Sequence, residues 1–154
     1  GWDNPVINPL IGQSGRGVRR LHDELPTLAD YPQGVLLQPF IASDIGEICL
    51  IYLSGTFSHA AHRRPAPQEW RANSAYGVEI LPIEPETAWL KRAAAVLPHL
   101  PVAPLYARID GLIDTHGAFL INEVELIEPA LYLYLHPPAL ARLHALLLPF
   151  TERA

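Results

Sequence analysis

Three acids carry the chemistry most open to reading: Asp110, Glu123 and Glu125. Residues 105–114 and 118–127 read as two strands joined around Thr115-His116-Gly117, and side chains alternate along a strand. Tyr106, Arg108 and Asp110 are therefore expected on one face of the first strand, and Ile121, Glu123 and Glu125 on one face of the second. A two-residue loop, His116-Gly117, sets Asp110 opposite Glu123 and Arg108 opposite Glu125, whereas a four-residue loop over 114–117 sets Asp110 diagonal to Glu123. Either register gathers the acids on one face. Opposed carboxylates, with Cβ atoms about 4.5–5.5 Å apart, destabilise a sheet unless something neutralises them. A donor set made only of oxygens suits a hard divalent cation, and magnesium is commonly held by a few carboxylates together with substrate phosphates. Magnesium beside a nucleotide is one reading. The spacing is equally met if Arg108 pairs with Glu125 while the other acids are solvated. A glycosidase-type pair of acids ranks third, because aromatic residues at 8% offer little from which to build a sugar groove.

Other candidates are less specific. Gly12-x-x-Gly15-x-Gly17 after a strand lets backbone N–H groups approach phosphate, or is simply a glycine turn between strands. It matches neither the Walker pattern nor the dinucleotide fingerprint. Arg63, Arg64 and Arg71 bracket a polar stretch; their forked donors suit phosphate or carboxylate ligands, or form a solvated surface. His59 and His62 are three apart, which on a strand sends them to opposite faces and argues against a shared metal. The single cysteine, Cys49, forms no internal disulfide, so its expected role is buried packing in a reducing compartment, the cytoplasm.

The elements that must position these residues are largely strands. Pro5–Pro9 and Val18–Leu21 read as strands flanking the glycine loop, Gly34–Ile41 as a buried strand, and Gly46–Leu53 with Thr56–Arg63 as a hairpin turning at Ser54-Gly55. Pro65–Gly77 reads as a loop and Val78–Ile83 as a brief strand. Glu84-Pro85-Glu86-Thr87 opens a helix, with acids in its first turn, that is expected to run through Leu97 to Pro98. After Pro137-Pro138, the spacing of Leu140, Leu143, Leu147 and Phe150 predicts a final helix whose apolar stripe is core or interface. Hairpins rather than βαβ alternation point to an α+β fold, an antiparallel sheet with flanking helices.

The chain has 154 residues, 49% hydrophobic and 18% charged, which is the range of a packed single domain over 1–154 rather than of disorder. Eleven Lys and Arg against 16 Asp and Glu give a formal charge of −5, and no basic run exceeds two residues, so nucleic acid is not an expected partner. No apolar run reaches the roughly 18 residues of a spanning helix, so no membrane is expected either. There is no Met, and the sequence opens Gly-Trp-Asp-Asn-Pro, from which the chain is expected to be a piece of a longer protein.

Taken in order, residues 5–18 (PVINPLIGQSGRGV), Leu37–Ile41, Gly46-Glu47, Phe57–Ala60, Arg71-x-Asn73 with Gly77, Ala107–Gly111 and Asn122–Pro129 resemble the ATP-grasp superfamily. The likeness is nearest to prokaryotic glutathione-synthetase-like and D-cycloserine-ligase-like members, and it corresponds to the C-terminal part of that fold. The resemblance implies that Asp110, Glu123 and Glu125 are magnesium ligands, with Glu125 where many members carry Asn. It places Arg71 and Asn73 near the phosphates and the acyl intermediate, and Arg63 facing the same site. Gln38, Phe40 and Ile41 correspond to the segment against the adenine, and Glu47 lies near ribose or substrate. The glycine loop, including Gly12, Ser14, Gly15 and Gly17, covers the phosphates.

Members of the superfamily join a carboxylate to an amine through an acyl-phosphate made from ATP. The implied cofactors are ATP and Mg2+, the implied partner is a small carboxylate or amine substrate, and a homo-oligomer is left open. Two departures bear on activity. Asn8 stands where the resemblance expects Lys before Pro, and the N-terminal substrate domain of such ligases has no counterpart in these 154 residues. The acid triad favours a ligase; Asn8 favours a non-catalytic remnant that binds nucleotide weakly or serves as an interaction module.

Overall fold

Ser54 and Gly55, both at positive φ (49° and 74°), reverse the chain between β4 (Glu47–Leu53) and β5 (Thr56–Arg64), as a two-residue turn requires. The computed structural model describes residues 4–21 and 26–151. Around this hairpin a five-stranded antiparallel sheet forms in the order β6-β5-β4-β7-β8, with β6 at Glu79–Pro82, β7 at Tyr106–Ile113 and β8 at Phe119–Glu125. β4 is central, and all seven of its residues are buried.

The two faces of β4 do different work. Ile48, Leu50 and Tyr52 pack with Ala60, Ala107, Ile109 and Phe119 beneath α1 (Thr87–Ala94), which contributes Trp89 and Ala93. Each fully buried aliphatic side chain there contributes roughly 1.5–3 kcal/mol. On the opposite face Cys49, Ile51 and Ala61 are covered by Leu131, Tyr132 and Leu135, and the row continues into Glu47 and Arg63 at one end. Cys49 is buried packing, as its lone occurrence implies.

A second sheet, in the order β2-β1-β3, joins β1 (Pro5–Pro9) to β2 (Arg19–Arg20) and β3 (Val35–Pro39). The expectation of a buried third strand is corrected here: Leu36 is 53% and Leu37 48% exposed. A run of apolar residues does not reveal whether a sheet face is covered, and this small sheet is not covered as β4 is.

The hairpin holding the acids also departs from the reading by strict alternation. Its loop is three residues, 115–117, neither two nor four: Asp114 N–H donates to Ala118 O (3.0 Å), and Gly117 turns at φ 79°. That loop alone would set Asp110 opposite Asn122. A bulge intervenes, because Gly111 pairs with Ile121 but Asp110 with Glu123, leaving Asn122 as the extra residue. Ile121 consequently packs into the core under α1, not on the face of Glu123 and Glu125.

The remaining corrections are at element ends. α1 stops at Ala94 rather than continuing to Pro98, with a 3-10 turn at Leu97–His99, and its first turn holds no acid because Glu84 and Glu86 precede it. The 65–77 loop contains a 3-10 turn at Ser74–Tyr76. In α2 (Pro138–Thr151) only Ala139 is buried, and Leu140 and Phe150 are 58% and 63% exposed, so the stripe is not core within this chain. Among the described residues no helix is long and apolar enough to cross a membrane.

Candidate functional site

A cleft of about 1000 Å³ lies between the two sheets. β8 supplies its acidic wall, Glu123 and Glu125, and β7 contributes Arg108, behind which Asp110 lies outside the cleft lining. Asp110 is 0% exposed and receives Arg108 in a forked pair, Nε to Oδ1 at 2.8 Å and Nη2 to Oδ2 at 2.7 Å. The same Nη2 donates to Glu125. Arg63, arriving from β5, places Nη1 at 2.9 Å from Glu47 Oε2 and 3.5 Å from Asp110 Oδ2. One oxygen from each of Asp110, Glu123 and Glu125 lies within 4.8 Å of the other two. Arg108 thus pairs with Glu125, as one of the two readings of the spacing has it, but Asp110 is buried against the same arginine instead of solvated.

The electrostatics follow from burial. Desolvation, then the charge of Asp110, pushes Glu47 up to about 7, against the opposing pull of Arg63. Burial also raises Glu125, with Arg108 holding it back, and raises the Cys49 thiol. Burial works against the Arg108 cation, but the hydrogen bond and charge of Asp110 outweigh it and raise its pKa. Four carboxylates here face two guanidiniums. The surplus of hard oxygen donors suits a divalent cation at Glu123 and Glu125, whereas Asp110, the third acid of the cluster, has both oxygens taken by Arg108.

The bulge at Asn122 brings its amide to the cleft side as well. Asn122 Nδ2 donates to Glu47 Oε1 (3.0 Å), and its Oδ1 accepts from Gln38 Nε2 (3.1 Å) across the cleft. Gln38 Oε1 in turn accepts from Asn8 Nδ2 at 3.1 Å. Side chains therefore link the small sheet to the acids without interruption from Asn8 through Gln38, Asn122 and Glu47 to Arg63. Strict alternation would have placed Asn122 on the far face, and only the odd loop length hints otherwise.

Gly12, Ser14 and Gly15 line the cleft, and Gly17 closes their loop at φ 75°. Gly15 sits at φ 69°, where a Cβ would fall 2.4 Å from Asn73 Oδ1, so only glycine lets the glycine loop and the polar loop meet. Asn73 and Arg71 line the same cleft. Arg71 is clamped by Glu69 and lies 3.6 Å over the Tyr76 ring. Phe40 contacts Trp70 edge-on at 5.7 Å, with the Arg20 guanidinium 3.8 Å above its ring. Ile41 lines both the cleft and an adjoining recess with Leu112 and Leu120. His59 and His62 part as expected: His59 bonds Leu131 O at 2.8 Å, and His62 bonds Ile45 O. Arg64 is exposed and pairs with Glu79 outside the cleft. Sequence reading missed Asn122, Glu69 and Tyr132 as cleft residues and Tyr76 as the support beneath Arg71, and it noted Arg108 only as a pairing partner.

D-cycloserine synthetase DcsG superposes on this chain with a TM-score of 0.77 at 24% identity, covering 94% of this chain and 55% of that one. D-alanine–D-alanine ligase from Bacillus anthracis gives 0.68 at 17% identity, covering 97% and 55%. PsnB, an ATP-grasp ligase solved with a phosphomimetic variant of its minimal precursor, Mg and ADP, gives 0.65 at 15% identity, covering 93% and 46%.

The chain has the ATP-grasp fold.

It spans about half the length of these solved structures. No protein-family model matches the sequence, and no curated protein matches it. The ATP-grasp fold accounts for the antiparallel sheets, and Glu123, Glu125, the glycine loop and the polar loop open onto one cleft, with Asp110 buried behind Arg108.

Proposed function

We propose that this chain is the nucleotide- and magnesium-binding part of an ATP-dependent ligase that joins a carboxylate to an amine through an acyl-phosphate. The observation that carries the reading is that Glu123 and Glu125 line a cleft whose rim is the glycine loop, with an oxygen of Asp110, buried behind Arg108, within 4.8 Å of theirs. Magnesium held there would neutralise phosphate oxygens and draw charge from the phosphoryl group in transfer. The chain's own residues do the remainder. Backbone N–H groups of 12–17 cover the phosphates, and Gln38, Phe40 and Ile41 face the base, with Glu47 towards the ribose or substrate. Arg63, Arg71 and Asn73 offset and orient the negative oxygens. A substrate carboxylate oxygen attacks the terminal phosphorus and breaks its bond to ADP. The amine then attacks the acyl carbon, expelling phosphate and losing its proton to solvent.

Calorimetric titration with ATP and magnesium tests this. The expected result is saturable binding that Asp110→Asn weakens at least about tenfold, in line with a lost ligand and charge pair; binding indifferent to Asp110→Asn argues against it. Asn8 bonds Gln38 at the cleft wall, so Asn8→Lys would add a cation there and is expected to tighten ATP. One pair of observations favours a second reading, the non-catalytic remnant. Asn8 supplies no charge, and the Arg71 fork is already occupied by Glu69. Absence of any ATP affinity in the titration would favour that reading.

A further inference from the structure

Arg71, like Arg108, is held by a carboxylate two residues away in its own chain segment, but unlike Arg108 it sits on a loop at the cleft. Glu69 Oε1 accepts from Arg71 Nε at 3.0 Å, and Oε2 accepts from Nη2 at 2.7 Å, a forked pair that takes one whole edge of the guanidinium. Oε1 also accepts the backbone N–H groups of Trp70 (2.9 Å) and Arg71 (3.0 Å), so the carboxylate itself is anchored to the loop. The hydrogen bonds of Arg71 drop the Glu69 pKa to about 2, which leaves the clamp charged at any working pH. The face of the guanidinium rests on Tyr76 at 3.6 Å, and Tyr76 Oη donates to Gly15 O at 3.2 Å. Edge and face are thus both fixed, and the fixing residues tie the polar loop to the glycine loop. No hydrogen bond from Nη1 joins it to another of the described residues.

We infer that Glu69 is a positioning residue that, with Tyr76 beneath, orients Arg71 so that its remaining Nη1 corner meets a phosphate oxygen of ATP in the cleft. The inference rests on the ATP-binding reading above. Glu69 would act in two opposed ways. Its charge repels a nearby anion, while its clamp removes the rotamer freedom that a long side chain otherwise loses on binding. The net effect of removing it on affinity is therefore small and of either sign, but the two contributions differ in one respect: only the clamp requires Arg71.

A double-mutant cycle separates them. MgATP is titrated into the wild-type chain, Glu69→Gln, Arg71→Gln and the double variant, with melting curves confirming that all four fold. Positioning predicts coupling: Glu69→Gln is about tenfold more harmful to MgATP affinity when Arg71 is present than when it is Gln. If Glu69→Gln changes affinity by the same factor in both backgrounds, Glu69 is only a nearby charge and the inference is overturned. Failure of the wild-type chain to bind MgATP is a different result. It removes the ATP-binding reading, and with it the phosphate that Arg71 is oriented to meet.

Discussion

Glu47 should make this protein less stable as pH rises from 5 to 8. It is 6% exposed, bonded to Arg63 and Asn122, and lifted to about 7 by burial and the neighbouring charge of Asp110, from an ordinary value of 4.5. A carboxyl raised in the folded state binds its proton more tightly folded than unfolded. Its contribution is therefore fully present below about 4.5, falls through the interval, and is lost above 7. Integrated between pH 5 and pH 8, the penalty for ionising the buried group comes to about 2 to 3 kcal/mol. Glu47→Gln removes the titration while keeping the shape and an acceptor for Arg63. Urea unfolding of both proteins at the two pH values measures it. The difference between wild type and variant should move by about 2 to 3 kcal/mol in favour of the variant at pH 8. A difference that stays constant with pH would falsify the claim that burial and Asp110 together disfavour the Glu47 carboxylate.

Other expectations follow from the same geometry. Arg108→Leu would leave Asp110, 0% exposed, with only the 3.5 Å contact to Arg63, and should cost about 3 to 5 kcal/mol in chemical denaturation. A loss below about 1 kcal/mol would mean that the forked pair is worth no more than a surface one. Gly111→Ala puts a Cβ 2.4 Å from Phe119 Cζ and 2.8 Å from the Leu120 carbonyl oxygen. At about 3 kcal/mol for overpacking, it should lower the melting temperature by roughly 6 to 12 °C, and an unchanged melt would show that the Phe119 ring moves aside freely.

Much of the fold was legible because the relevant signals are local. Ser54-Gly55 between two apolar runs specifies a tight hairpin whatever surrounds it. Asp110, Glu123 and Glu125 were found by alternation, and they do share a face, but through a different route. A three-residue loop shifts the register by one and the bulge at Asn122 shifts it back, two changes that cancel for Glu123 and Glu125 and do not cancel for Ile121 or Asn122. Local sequence does not announce the bulge; the register on its loop side lays Phe119 over Gly111, where no Cβ obstructs the ring.

The types, order and approximate strand positions of the site residues are thus set by the chain itself, because strand periodicity and turn chemistry act over a few residues. Tertiary structure alone decided which of them meet. Asn8, Gln38, Asn122 and Glu47 lie as far as 114 positions apart, yet they form one hydrogen-bonded series across the cleft. The burial that raises Glu47 exists only once β4 is enclosed by β5 and β7. Likewise, the exposure of Leu36, Leu37 and the α2 stripe depends on what packs against them, and apolar character in the sequence states a capacity for burial without supplying the surface that would use it.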